Sequence, residues 1–293
     1  MSLRNLWRAW IPAALGLLLL LPAFASAASE DFDPSTEFET SPYVKLEFGP
    51  IDLSINKAVI YLLLAAAICI GVGIFAIRGG LKMRPTRAQN LVELVYEFAE
   101  NQIARPTLSE KVFSRYFPFI ATLFMFLAVS NLISFIPLPV SHESGTLPFG
   151  IPDLSLYAAT ANINVTLALT IVVFIAFNYE GVKAHGALGY LKTLVPDAPT
   201  AIKPFIFALE LLSQLLRLVS LSVRLFANLL AGHLLIIMCA GFMVLLGNFA
   251  GLIAIPVGVF FYTFEWVLIA GLQAFIFAML SGIYIGFAVQ SDH

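Results

Sequence analysis

The sequence predicts an all-α, multi-spanning membrane protein, and three observations carry that prediction. Of its 293 residues 60% are hydrophobic and only 12% are charged, and with a mean hydropathy of +0.91 there is too little charge to coat a water-soluble globule of this size. Apolar runs recur along the chain, each of the roughly 20 residues needed to cross about 30 Å of hydrocarbon. Lys and Arg gather at alternate ends of those runs, so every turn obeys one topology under the positive-inside rule. The expected architecture is about five membrane helices plus a cytoplasmic amphipathic helix, the last two membrane helices being long and steeply tilted as a hairpin.

Residues 1–27 read as a secretory signal peptide: Arg4 and Arg8, an apolar core ending near Leu21, then Ala25-Ser26-Ala27 as the cleavage site. Residues 28–56 are acidic and contain Pro34, Pro42 and Pro50, which suits an exposed extracytoplasmic segment. The first span covers residues 57–77, and Arg78, Lys82, Arg84 and Arg87 directly after it mark a cytoplasmic end. Within residues 85–117 the apolar Leu91, Leu94, Val95 and Phe98 alternate with Glu93, Glu97 and Glu100 at helical spacing, which predicts an amphipathic cytoplasmic or interfacial helix.

The second span, residues 117–136, runs outward to a turn that holds Pro137, Pro139, Pro148 and Pro152 and no Lys or Arg. Residues 157–179 return inward to Lys183, Lys192 and Lys203. From Pro204 to Ala240 no further proline occurs, and as one helix that run measures roughly 55 Å, too long to stand upright in a bilayer. After a turn at residues 241–251, residues 260–289, or from Pro256, form a second overlong run. The same topology leaves the N-terminus outside and the C-terminus in the cytoplasm.

The net charge of -2 and the lack of a dense basic block argue against nucleic acid, which requires clustered Lys and Arg. The two cysteines, Cys69 and Cys239, each lie in an apolar run and suggest packing residues, with no thiolate metal site and no cofactor implied.

The chemistry concentrates in the first overlong run. Ionisable groups inside a membrane are expensive and mark function by default. At 100° per residue Glu210, Ser213, Arg217, Ser220 and Asn228 all fall within about 40° of Arg224, making one polar stripe, whereas His233 lies about 180° away. Arg217 and Glu210 also fit a plain structural role, the arginine snorkelling to the interface. Ser213, Ser220 and Ser222 fit simple bonding to their own helix carbonyls, and Asn228 and Gln273 fit interhelical glue. Arg224 fits no such role, being deep in the run and unable to shed its proton. The last run adds Glu265 and Gln273 in apolar surroundings.

The segment SLSVRLFANLLAGHLL, residues 220–235, resembles the signature of the a subunit of F-type ATP synthases. LQAFIFAMLSGIYIGFA at 272–288 is similar to that family's last helix, ANINVTLAL at 161–169 to its middle-span motif, and PTRAQNLVE at 85–93 to its cytoplasmic segment. The resemblance runs from about residue 52 to the C-terminus and implies that residues 57–293 form the membrane domain of a non-catalytic, proton-translocating stator subunit in a bacterial cytoplasmic membrane. Its implied partners are the c-ring, b-type peripheral-stalk subunits, the F1 sector through the assembled complex, and membrane lipid. Arg224 becomes the arginine that faces the rotor carboxylates and separates two half-channels. Asn228 follows it in the same motif, His233 takes an outer half-channel position, and Gln273 matches the glutamine of the last helix. The family's partner position for His233, seven residues before that glutamine, is Trp266 here, with Glu265 one residue earlier. Asn162 stands where many members have Asp.

The competing reading from the residues alone is a secondary transporter with a polar intramembrane substrate site, but repeated halves and helices broken near midplane are not evident. An intramembrane hydrolase is disfavoured, because His233 and the stripe serines face different ways.

Overall fold

The computed structural model describes residues 47–48, 51–52, 54–78, 86–135, 146–147, 151–152, 158–193, 202–245 and 247–289. The signal-peptide reading and nearly all of the acidic segment after it lie outside the described residues. Two hairpins of two-residue strands, β1 (Glu47–Phe48) with β2 (Ile51–Asp52) and β3 (Thr146–Leu147) with β4 (Ile151–Pro152), are the only sheet among the described residues. The rest is helical: α1 (Lys57–Arg78), α2 (Arg87–Phe98), α3 (Arg105–Thr107), α4 (Glu110–Ile133), α5 (Ile163–His185), α6 (Ala187–Thr193), α7 (Lys203–Leu245), α8 (Gly247–Phe264) and α9 (Ala270–Val289). A π-helical stretch, Ala99–Ala104, continues α2, and a second, Glu265–Ile269, joins α8 to α9.

Among the described residues five stretches are long and apolar enough to cross a membrane: Lys57–Ile74, Val112–Ile133, Ile163–His185, Lys203–Ile236 and Pro256–Val289. Three boundaries differ from the sequence reading. The amphipathic segment stops at Thr107, where extended Leu108 breaks it, and the second span starts at Glu110 instead of 117. The third begins at Ile163 because Asn162, in extended conformation, caps it by accepting the amide of Asn164 at 2.9 Å. The turn expected over 241–251 is helical where it is described, with α7 running to Leu245 and α8 starting at Gly247.

The chain forms two compact units. One takes in Ala231–Glu265 with the β3–β4 hairpin; the other takes in Thr40–Ile136, Leu156–Leu230 and Trp266–His293. In the larger unit α9 packs on α4 and α5, and α1 on α4, around a core that includes Ile120, Leu127, Leu225, Leu229, Phe277 and Ile285. Lipid tails are as apolar as these side chains, so close packing and interhelical hydrogen bonds must hold the helices together. Asn131, fully buried on α4, supplies two such bonds: its amide donates to the Ala270 carbonyl at 3.1 Å and its oxygen accepts from Thr160 at 2.9 Å.

Close approach is visible where α9 meets α3. A Cβ at Gly282 or Gly286 would run into Thr107, at Gly286 into its backbone carbonyl, which cannot swing aside as a flexible side chain would. Gly286→Val is therefore expected to cut the amount of subunit recovered in membranes severalfold, read by immunoblot. Gly71→Val on α1, where an added Cβ meets nothing within 4 Å, is the matched control and is expected to leave it unchanged.

Candidate functional site

In the larger unit, one face of α7 is buried through Gln214, Leu221, Ser222, Leu225 and Leu229. This spacing of three, four and seven residues makes a single helical face. Ser222 reaches Thr166 of α5, hydroxyl to hydroxyl at 3.2 Å, so it joins two helices where the sequence suggested self-bonding. The polar stripe is thereby turned away from the core: Ser220, Arg224 and Asn228 are exposed, and Glu210, Ser213 and Arg217 half-buried.

Arg224 donates to the Ser220 hydroxyl one turn earlier, at 3.5 Å. Among the described residues no carboxylate stands within ion-pairing distance of it, the ion pairs being Arg105–Glu100, Arg115–Glu180, Arg217–Glu210 and His233–Glu265. Beside it on the stripe stand the neutral Ser220 and Asn228, and Leu216, Val219 and Val223 are exposed apolar side chains on the same helix.

Towards the start of α7, Arg217 meets Glu210 at 3.5 Å and lies over the ring of Tyr284 of α9, 5.8 Å from its centroid. With Ser213, Ser220, Tyr284 and three leucines it lines an open cavity of about 390 Å³. Behind this stripe Gln214 is held by Tyr190 of α6. Gly186, with φ +74°, lets the chain double back between α5 and α6, and a Cβ at Gly181 would strike the Tyr190 ring. The Tyr190 hydroxyl donates to Asn178 at 3.0 Å. Burial pushes its pKa above the ordinary tyrosine value, against the opposing Gln214 hydrogen bond and Arg217 charge, so it stays a donor.

The smaller unit contains a buried pair. His233 Nδ1 and Glu265 Oε1 are 3.2 Å apart, with side chains 5% and 3% exposed. The second carboxylate oxygen of Glu265 has no hydrogen-bond partner among the described residues. Glu265 and Gly232 fit together only because the glycine has no side chain, since a Cβ there would fall on the carboxylate. Cys239 likewise faces Gly258. The 232–265 and 239–258 pairings define an antiparallel helical hairpin.

Glu265 opens the π-helical stretch Glu265–Ile269, while Trp266 is exposed. A π turn absorbs one extra residue, so the eight-residue step from Glu265 to Gln273 has the phase of a seven-residue step in an unbroken helix. His233 is thus met by the carboxylate, and not by Trp266. Gln273 is buried on α9, and its side-chain amide has no hydrogen-bond partner among the described residues; Asn162 serves as the α5 cap.

The sequence reading missed Gly232, Asn131, Tyr190 and the cluster in which Glu180 accepts from Tyr116 and pairs with Arg115 at 3.5 Å. Only Asn131 carried a signal, as an amide within an apolar span. Among the described residues no group of three His, Cys, Asp or Glu side chains is placed to hold a metal ion.

A protein-family model described as ATP synthase A chain matches residues 59–286. ATP synthase subunit a of Hyphomonas neptunium is 34% identical over 268 residues, covering 89% of this chain and 97% of the relative. The subunit a of Brucella ovis is 32% identical and subunit a 1 of Brucella anthropi 33%, each over 268 residues, 89% of this chain and 99% of the relative. With the five apolar spans and Arg224 on its exposed stripe, these matches show that the chain belongs to the ATP synthase A chain family, membrane subunits of an ion-translocating complex.

Proposed function

We propose that this chain is the proton-translocating stator subunit of a rotary ATP synthase, forming two half-channels against the c-ring with Arg224 between them. The observation that carries the reading is Arg224 itself, an exposed permanent cation on an apolar-flanked helix with no carboxylate of its own chain in reach among the described residues. A deprotonated rotor carboxylate would complete it, because a nearby guanidinium favours the charged form. The same charge would repel a cation taking a shortcut between the half-channels. One charge crossing 100 mV releases about 2.3 kcal/mol, which sets the scale of work per step.

His233 and Glu265 serve the outer half-channel as a proton relay, with Gln273, Asn228 and Asn162 as further polar groups on the route. The buried His233 favours protons over sodium, since an imidazole nitrogen can carry a proton and not a sodium ion. The 43-residue α7, roughly 65 Å long, crosses at a steep tilt and lays Glu210, Ser213, Arg217 and Ser220 along the rotor. The subunit is non-catalytic, sits in the bacterial cytoplasmic membrane with its mature N-terminus outside and C-terminus inside, and assembles with b-type stalk subunits and, through the complex, with F1.

The test is proximity. With Cys69 and Cys239 replaced by alanine, Asn228→Cys is expected to form a disulfide with a cysteine placed one turn from the rotor carboxylate, in membranes containing the whole complex. Labelling of that cysteine by a lipid-soluble probe, with no rotor adduct, would overturn the reading.

A further inference from the structure

α7 carries two arginines two turns apart, Arg217 and Arg224, on one stripe. Only one of them can act as the separator, because a second bare guanidinium about 10 Å further along the axis would offer a departing rotor carboxylate another cationic stop. That distance is close to one Debye length even in salt solution, and screening is weaker in a membrane. The two arginines differ in their surroundings. Among the described residues Arg224 reaches only a neutral hydroxyl. Arg217 is matched by Glu210 at 3.5 Å and drawn aside onto the Tyr284 ring.

We propose that Glu210 is a positioning residue which cancels the charge of Arg217, so that the stripe presents one free positive charge, Arg224, to the rotor. This rests on the function proposed above. Two features of the geometry support it. The pair is intrahelical and spans two turns on the stripe itself. The Tyr284 face gives the guanidinium a resting place off the stripe axis.

A titrating relay at Glu210 would make a different prediction from a charge mask, and a double-variant cycle separates them. ATP-driven proton pumping is measured in inverted vesicles with equal amounts of assembled complex for Glu210→Gln, Arg217→Gln, the double variant and Arg224→Ala. A mask predicts that Glu210→Gln slows pumping severalfold, that Arg217→Gln alone costs less, and that adding Arg217→Gln to Glu210→Gln recovers most of the loss. If Glu210→Gln pumps at the normal rate, or the double variant is as slow as Glu210→Gln, the mask is overturned. Coupling beyond about twofold between the two sites is the threshold for interaction. Arg224→Ala in the same series keeps the two ideas apart: normal pumping there would refute the separator, whatever the cycle shows.

Discussion

Arg224→Ala is expected to lower proton-driven ATP synthesis and ATP-driven pumping by at least about 10²-fold, the usual loss when a preorganised charge-stabilising group is removed from a low-dielectric site. The structural basis is the isolation of this guanidinium. No carboxylate among the described residues competes for it, and the buried face of α7 through Leu221, Leu225 and Leu229 fixes which way it points. Because Arg224 is exposed and donates only to Ser220, its removal leaves no buried partner stranded, and assembly of the complex is expected to be normal. Arg224→Lys is expected to retain only part of the activity, since a desolvated ammonium can lose its proton and offers no planar fork. Normal synthesis by the alanine variant in vesicles would refute the separator role.

Gly232→Ala has the second largest expected effect, although it adds one methyl group. That methyl would occupy the place of the Glu265 carboxylate, which is the free end of a flexible side chain and must yield. The carboxylate then leaves His233 Nδ1, now 3.2 Å away, and a proton relay depends on groups within hydrogen-bond reach. Proton conduction is expected to fall by about 10²-fold, the lower range for a displaced acid or base, while the helical content of the purified subunit stays unchanged. His233→Ala, which removes the imidazole of the pair, is also expected to slow proton conduction, with less damage than Arg224→Ala. Equal conduction by Gly232→Ala and the parent protein would show that the buried pair is off the proton path.

Much of the membrane architecture was legible because it depends on solvent more than on neighbours. A bilayer requires about 20 apolar residues per crossing whatever lies beside them, so the five spans were readable from residue order. The polar stripe was legible too, because 100° per residue is a local property of one helix. Span ends were less so: the early start of α4 depends on the break at Leu108, and α7 runs into the expected turn as far as Leu245.

Sequence by itself determined that this chain lives in lipid, that its unusual charges line one side of an overlong helix, and which family its motifs resemble. Only the tertiary structure decided that Glu265, and not Trp266, meets His233, because a π turn shifts the helix phase by one residue and residue counting assumes a regular helix. It alone decided that Gly232 makes room for that carboxylate, and that Arg217 meets Glu210 while Arg224 has no carboxylate in reach among the described residues. Those outcomes depend on distances of a few ångströms between side chains on different turns and helices, which no one-dimensional pattern encodes.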